Sequence, residues 1–333
     1  MKSNSIKPYY STALGKCYHG LAEELLNTSL GKELEGKVNL ILTSPPFPLN
    51  HKKQYGNYNG QDYINWLVQF APVFARLLTP NGSIVMELGN SWEPGRPIQS
   101  LLPIKTLLAF VEDPNAGLRL CQEFICHNPA RLPTPVQWVN IQRSRVTDSF
   151  TRIWWMSISD EPKADNRKVL RPYSKSMRKL QKRKSYNAGK RPSGHDIGKK
   201  SFLIDHGGSI MPNVIEVEPI DPNKDPRLPT NAFSISNTAS NDYFHRQCRA
   251  LGIRPHPARM PLGLADFFIQ FLTDPGDLVF DPFAGSNTTG FCAEKNNRRW
   301  VSIEACESYV QQSTLRFQEL ESFNHNNKED KQQ

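Results

Sequence analysis

The chain has 333 residues, 38% of them hydrophobic, and a net charge of +9, enough to bury the core of one large or two modest domains and basic enough to expect an anionic partner. No early stretch combines a charged start, an apolar core and a small-residue cleavage site, and no run of about 18 apolar residues occurs, which argues against secretion and membrane spanning and places the chain in the cytoplasm. Six cysteines scattered without a Cys-x-x-Cys pair argue against a zinc ribbon and a disulfide framework, and no metal site is expected.

The residues through about Ser11 are polar. Lys16–His19 reads as a short strand, Leu21, Leu25, Leu26 and Leu30 recur at helical spacing, and Val38–Leu42 is an apolar run, which together predict a β-α-β unit. That run ends in Thr43-Ser44-Pro45-Pro46-Phe47. Each proline fixes φ and removes a backbone donor, so the strand delivers a stiff turn. At the carboxyl edge of a parallel sheet such a turn offers carbonyl acceptors and an aromatic face to a ligand; a plain Pro-Pro turn is the alternative. The polar loop 48–60 is long enough to be a lid, or is an ordinary surface loop. Asp62 reads as the N-cap of a helix with Tyr63, Trp66, Leu67, Phe70, Phe74 and Leu77 on its buried stripe, ending near Pro80-Asn81-Gly82. Strand Ser83–Leu88, a helix around Leu101–Val111, and strands Leu118–Cys126 and Phe150–Ile158 follow. Alternation along the last puts Trp154 and Trp155 on opposite faces, which predicts that one of them faces the cleft.

From about Asp160 to Arg254 the pattern becomes irregular. Between Lys163 and Lys200 stand fourteen Lys or Arg against Asp165 and Asp196, an excess of twelve that leaves the rest of the chain slightly acidic. This reads as an inserted recognition region with some structure of its own, or as a solvated insertion. Regularity returns with a helix from Pro261, a turn at Asp274–Asp277 and a strand Leu278–Phe280 that opens into Asp281-Pro282-Phe283-Ala284-Gly285-Ser286-Asn287-Thr288-Thr289-Gly290. The strand Trp300–Ile303 ends at Glu304, a last helix runs to about Phe317, and the polar tail from Asn324 is expected to be disordered. Strand, glycine-containing turn, helix, second strand and a carboxylate at its tip form a nucleoside-binding arrangement. The spacing of Gly285 and Gly290 is not that of a dinucleotide fold.

Asp281–Ser286 resembles the cofactor motif of S-adenosylmethionine-dependent DNA amino-methyltransferases. Thr43–Phe47 resembles their catalytic motif in the Ser-Pro-Pro-Phe/Tyr form of cytosine-N4 enzymes. Catalytic motif first, recognition region next and cofactor motif last is the order of the β group; the blocks Lys52–Asn57, Trp154-Trp155, Arg191–Gly198 and His256–Arg259 add to the resemblance, and several of them recur across that group. The resemblance implies an α/β fold: a Rossmann-like, mostly parallel methyltransferase sheet in circularly permuted order, with one antiparallel strand and an inserted DNA-recognition region. The two halves of the catalytic domain would be 12–160 and 255–320, with recognition by 161–254 and a tail at 321–333. It further implies S-adenosylmethionine held by Asp281, Phe283, Gly285, Ser286, Asn287, Thr288 and Glu304, although Asn287 stands where many relatives carry a second glycine. Chemistry at N4 of a flipped cytosine falls to Ser44, Pro45, Pro46 and Phe47. Contacts to double-stranded DNA fall to Lys52, Lys53, Arg178, Lys179, Lys182, Arg183, Arg191 and His195. The protein would act as a monomer on DNA in the bacterial cytoplasm, sharing its site with a restriction endonuclease that it does not stably bind. No cysteine follows a proline, so the nucleophile of cytosine carbon-5 enzymes is missing. The alternatives are transfer to adenine N6, whose enzymes more often carry Asp where Ser44 stands, and a catalytically inactive DNA-binding relative.

Overall fold

The computed structural model describes residues 6–47, 58–129, 131–218, 234–236, 243–256 and 259–329. Lys52, Lys53 and nearly all of the expected lid loop lie outside them. The strands are β1 (Tyr10–Ser11), β2 (Gly15–His19), β3 (Val38–Thr43), β4 (Leu78–Gly89), β5 (Arg119–His127), β6 (Phe150–Ser157), β7 (Gly189–Lys190), β8 (Asp196–Ile197), β9 (Val214–Glu218), β10 (Ser234–Ser236), β11 (Leu278–Asp281) and β12 (Arg299–Glu304). The helices are α1 (Ala22–Leu25), α2 (Ser29–Leu34), α3 (Gly60–Val68), α4 (Phe70–Leu77), α5 (Leu102–Val111), α6 (Lys175–Arg183), α7 (Tyr243–Ala250), α8 (Leu262–Leu272), α9 (Thr288–Lys295) and α10 (Glu307–Glu329).

Ten strands form one sheet in the order β1-β2-β12-β11-β3-β4-β6-β5-β9-β10. Around its centre β2, β12, β11, β3 and β4 run parallel, while β6 is antiparallel to both β4 and β5. The short β1 is a second antiparallel strand, paired with β2. β3 is apolar on both faces because helices cover both: Leu40 and Leu42 join the core under α8 and α9, and Ile41 joins the core under α3 and α4.

Several expectations change in the folded chain. β2 and β3 are not neighbours, because β12 and β11 lie between them. The helix expected from Asp62 is two helices meeting at Gln69, and Asn59 occupies the N-cap position; Asp62 sits in the first turn, where its charge suits the helix dipole. Pro80-Asn81-Gly82 does not precede β4 but lies within it, at a register shift where Val38 pairs with Leu78 and Leu40 with Ser83. Neither tryptophan faces the cleft. Both are buried, Trp154 on one core with Nε1 3.4 Å from Glu123 Oε1, and Trp155 on the other with Nε1 2.9 Å from Ser83 Oγ. The polar residues after Phe317 continue α10 as far as Glu329, since no glycine or proline interrupts them. The segment expected as an insertion contributes β9, which pairs with β5 and extends the main sheet, while α6 and the β7–β8 hairpin stand outside it.

Among the described residues no helix is long and apolar enough to cross a membrane, and no group of His, Cys, Asp and Glu is placed to hold a metal. All six cysteines are free, and burial pushes the thiols of Cys17, Cys126 and Cys292 up to about 12.

Candidate active site

The tips of β3, β4, β11 and β12 meet around a cavity of about 530 Å³. Parallel β3 delivers Ser44, Pro45, Pro46 and Phe47 directly to its wall. Ser44 Oγ donates to the Glu87 carbonyl at 3.4 Å, which ties the turn to the neighbouring strand. Phe47 packs against the end of β4; a Cβ at Gly89 would stand 2.9 Å from its ring, so only glycine admits the aromatic there.

β11 and β12 supply the opposite wall. Asp281 is buried with both oxygens engaged: Oδ1 accepts from Thr43 Oγ1 at 2.7 Å and the Phe283 N–H at 3.1 Å, and Oδ2 accepts from Thr289 Oγ1 at 2.7 Å. It thereby joins the strand that carries Ser44 to the turn and helix that follow β11. Burial pushes its carboxyl up to about 6, against the pull of those three donors. Glu304 receives the Gly285 N–H on Oε2 at 2.7 Å and the Cys306 N–H on Oε1 at 2.8 Å. Burial raises its pKa as well, opposed by the same N–H groups. Gly285 takes the left-handed φ of +52° and packs under the His256 ring, 3.2 Å from where a Cβ would stand. Phe283 is wedged between Trp66 and Phe70 at 5.4 and 5.3 Å. Ser286 is gripped by buried Arg316, whose Nε reaches its carbonyl at 2.7 Å and Nη2 its Oγ at 2.9 Å.

Of the cofactor candidates, Asp281, Phe283, Gly285, Ser286, Thr288 and Glu304 line this cavity, and Asn287 does not. Asn287 adopts a left-handed φ of 54°, which asparagine tolerates, and caps α9 by accepting the Gly290 N–H at 3.1 Å. Its Nδ2 donates to the Tyr10 hydroxyl at 2.8 Å, away from the cavity. The DNA candidates lie elsewhere. Arg178, Lys179, Lys182 and Arg183 are exposed on α6; Arg191 and His195 sit on the β7–β8 hairpin, closed by the Arg191 N–H to the His195 carbonyl at 2.8 Å. None of the six lines the cavity.

The cavity also contains residues that the motifs did not single out. Glu87, near the tip of β4, is buried and accepts from Thr151 Oγ1 at 2.8 Å. Burial raises its pKa, opposed by the Thr151 hydroxyl, the Arg131 charge and the Ser44 hydroxyl. Its signal was available as the lone charged residue in Ser83–Leu88. Asn128, Arg131 and Thr151 complete that wall, while Tyr58 and Trp66, stacked at 5.7 Å, form another edge.

The DNA methylase family of N6 and N4 methyltransferases matches residues 38–315. The chain belongs to this family. Its similarity to the type II methyltransferase M.PvuII of Proteus hauseri reaches 41% identity over 313 residues, 93% of this chain and 86% of that protein. Among solved structures, the PvuII DNA methyltransferase (cytosine-N4-specific) aligns with a TM-score of 0.70 at 34% identity, covering 94% of this chain and 89% of that one. M1.HpyAVI, solved in complex with SAM, aligns at a TM-score of 0.51 and 18% identity, a likeness of fold alone. The cleft is therefore that of a DNA methylase, with both strand-tip motifs intact.

Proposed function

We propose that this DNA methylase transfers a methyl group from S-adenosylmethionine to the exocyclic N4 of a cytosine flipped out of double-stranded DNA. The observation that carries the reading is that Ser44, Pro45 and Phe47 open onto the same cavity as Gly285 and Glu304. The residues present fit the cofactor. A carboxylate has about four acceptor positions, and Glu304 spends two on N–H groups, leaving capacity for ribose hydroxyls at the cavity wall. Gly285 brings backbone to the ligand without a side chain in the way, and Phe283 offers an aromatic edge. When bound, S-adenosylmethionine supplies an electrophilic methyl on a sulfonium that leaves as a neutral thioether.

The chain's own residues prepare the nucleophile. The cytosine amino lone pair is delocalised into the ring, and acceptors placed on its N–H groups draw the nitrogen out of conjugation. The Pro45 carbonyl, stiffened between two prolines, and the Ser44 hydroxyl are those acceptors. Phe47 stacks on the flipped base and holds it in register, and positioning supplies much of the remaining acceleration. The amino nitrogen sheds a proton as it becomes secondary. Glu87 is the acceptor within reach of Ser44, and its raised pKa suits it to receive that proton. Cys126 is the one cysteine on the cavity lining, and burial pushes its thiol up to about 12, which unsuits it for covalent attack on the ring.

Residues 161–254 serve as the recognition region, with α6 on DNA phosphates. The protein works as a monomer, marking the sites that a separate restriction endonuclease would otherwise cut. Nucleoside mass spectrometry of treated duplex DNA tests the assignment: the expected product is N4-methylcytosine, and a methyl on ring carbon-5, or only on adenine, overturns it.

A further inference from the structure

Between β5 and β6 the chain leaves the cavity wall at Asn128 and Arg131 and returns to it at Ser149 and Thr151. Both ends are tied down. The Asn128 N–H donates to the Ser149 carbonyl at 2.8 Å, Arg131 Nη1 to the Phe150 carbonyl at 3.2 Å, and the Asp148 N–H to the Thr134 carbonyl at 3.2 Å. Asp148 also accepts from Asn90 Nδ2 at 2.8 Å and Trp92 Nε1 at 3.4 Å, just beyond β4. Further out, a turn of π-helix spans Gln137–Ile141, the Ser144 and Arg145 N–H groups close back on the Trp138 carbonyl, and Arg145 Nε reaches the Pro97 carbonyl at 3.0 Å. This is a built projection at the mouth of a site, the setting in which long connections carry function.

Its composition does not suit a rim that stays in water. Leu132, Val136, Ile141 and Val146 are 78%, 53%, 67% and 86% exposed. No acidic residue occurs between Glu123 and Asp148, while Arg143 and Arg145 are exposed among the aliphatics. Apolar groups flanked by arginines, without carboxylates, complement a nucleic acid: the arginines meet phosphates, and aliphatic wedges enter an opened base step.

We propose that residues 131–146 form a DNA arm that holds the duplex open beside the cavity. Arg143 and Arg145 engage phosphates, and Leu132, Ile141 and Val146 pack against the gap that the extruded nucleotide leaves. Filling that gap stabilises the flipped state without touching the reacting atoms. The inference rests on the DNA-methylating reading and assigns to the arm a task that the basic residues of α6 and the β7–β8 hairpin do not perform. Where the target base is already mispaired, extrusion is easier and the aliphatic contribution becomes redundant.

The test uses the full chain with Leu132→Ser, Ile141→Ser and Val146→Ser combined, on a duplex carrying one site that the wild type methylates. Single-turnover methylation of the paired duplex should fall roughly ten- to a hundredfold. The same duplex with a mismatch opposite the target should be methylated at the wild-type rate, and affinity for S-adenosylmethionine should be unchanged. Separately, Arg143→Ala with Arg145→Ala should reduce the slope of log affinity on log salt by about 1.8. Equal losses on both duplexes, no loss on either, or an unchanged salt slope overturns the proposal. So does light scattering that finds a wild-type dimer converted to monomer by the serine variant, which would give the patch to a second copy. A wild-type chain that methylates no DNA defeats the functional reading instead, so the two failures are distinguishable.

Discussion

The role proposed for Ser44 is to orient an amino group, not to form a bond, and on that reading Ser44→Ala should slow turnover by roughly one to three decades while cofactor affinity survives. Rapid-quench kinetics beside calorimetry separates the two. Glu304 lines the other side of the cavity: if it holds the ribose hydroxyls as proposed, Glu304→Ala should weaken S-adenosylmethionine binding by about 1.5–3 kcal/mol, and unchanged affinity in a folded variant would remove Glu304 from the site. Asp281 predicts a pH effect. Its carboxyl is raised from 3.8 to about 6 by burial. Between those values the folded chain holds a proton that the unfolded chain releases, so this group's contribution to stability is full below pH 4 and is lost as pH rises through 6. Asp281→Asn cannot titrate, and its stability relative to wild type should therefore improve by roughly 3 kcal/mol at most between pH 4 and pH 7, measured by urea unfolding. A flat difference would mean that Asp281 stays charged throughout. Ser44 was legible because two prolines mark the turn and a strand aims it. Asn287 was not, because its role as a left-handed cap depends on Gly290 and on Tyr10, far away in sequence.

At the scale of the element, α6 carries all five of its basic residues exposed, with Ser174 Oγ accepting the Met177 N–H at 3.2 Å to cap its start. Neutralising Arg178, Lys179, Lys182 and Arg183 together should flatten the salt dependence of DNA affinity, each lost phosphate contact removing about 0.9 from the slope. Filter binding at several salt concentrations reads it, and an unaltered slope would make α6 a solvated surface. Most elements were visible as runs because their apolar spacing is local: α8 and β11 follow from Leu264–Leu272 and Leu278–Phe280 alone. What periodicity missed is set by partners. Proline and glycine at 80–82 signal a turn, yet β3 accommodates them as an irregularity inside β4. Alternation put Trp154 and Trp155 on opposite faces correctly, but it carries no information that helices cover both faces.

At the scale of the whole molecule, the cavity is a junction between the two ends of the chain, with Thr43 and Asp281 bonded across 238 residues of sequence. A ligand seated there holds both walls, so S-adenosylmethionine at about a hundred times its Kd should add about 2.7 kcal/mol to unfolding, readable as a raised Tm. The permuted order of motifs was legible because both motifs are short and contiguous; the interleaving of strands was not, because pairing between distant segments leaves no local trace. That interleaving governs how the protein is made. β2 and β3 emerge early from the ribosome, but β12 and β11, the strands that must sit between them, come after every other strand of the sheet. Until then the edges of β2 and β3 that β12 and β11 will occupy stay unpaired, the condition in which nascent chains meet chaperones. A ribosome stalled before residue 278 holds a chain lacking the middle of its sheet, and arrest-peptide force measurements should detect folding of the sheet only once residues 278–304 have cleared the exit tunnel.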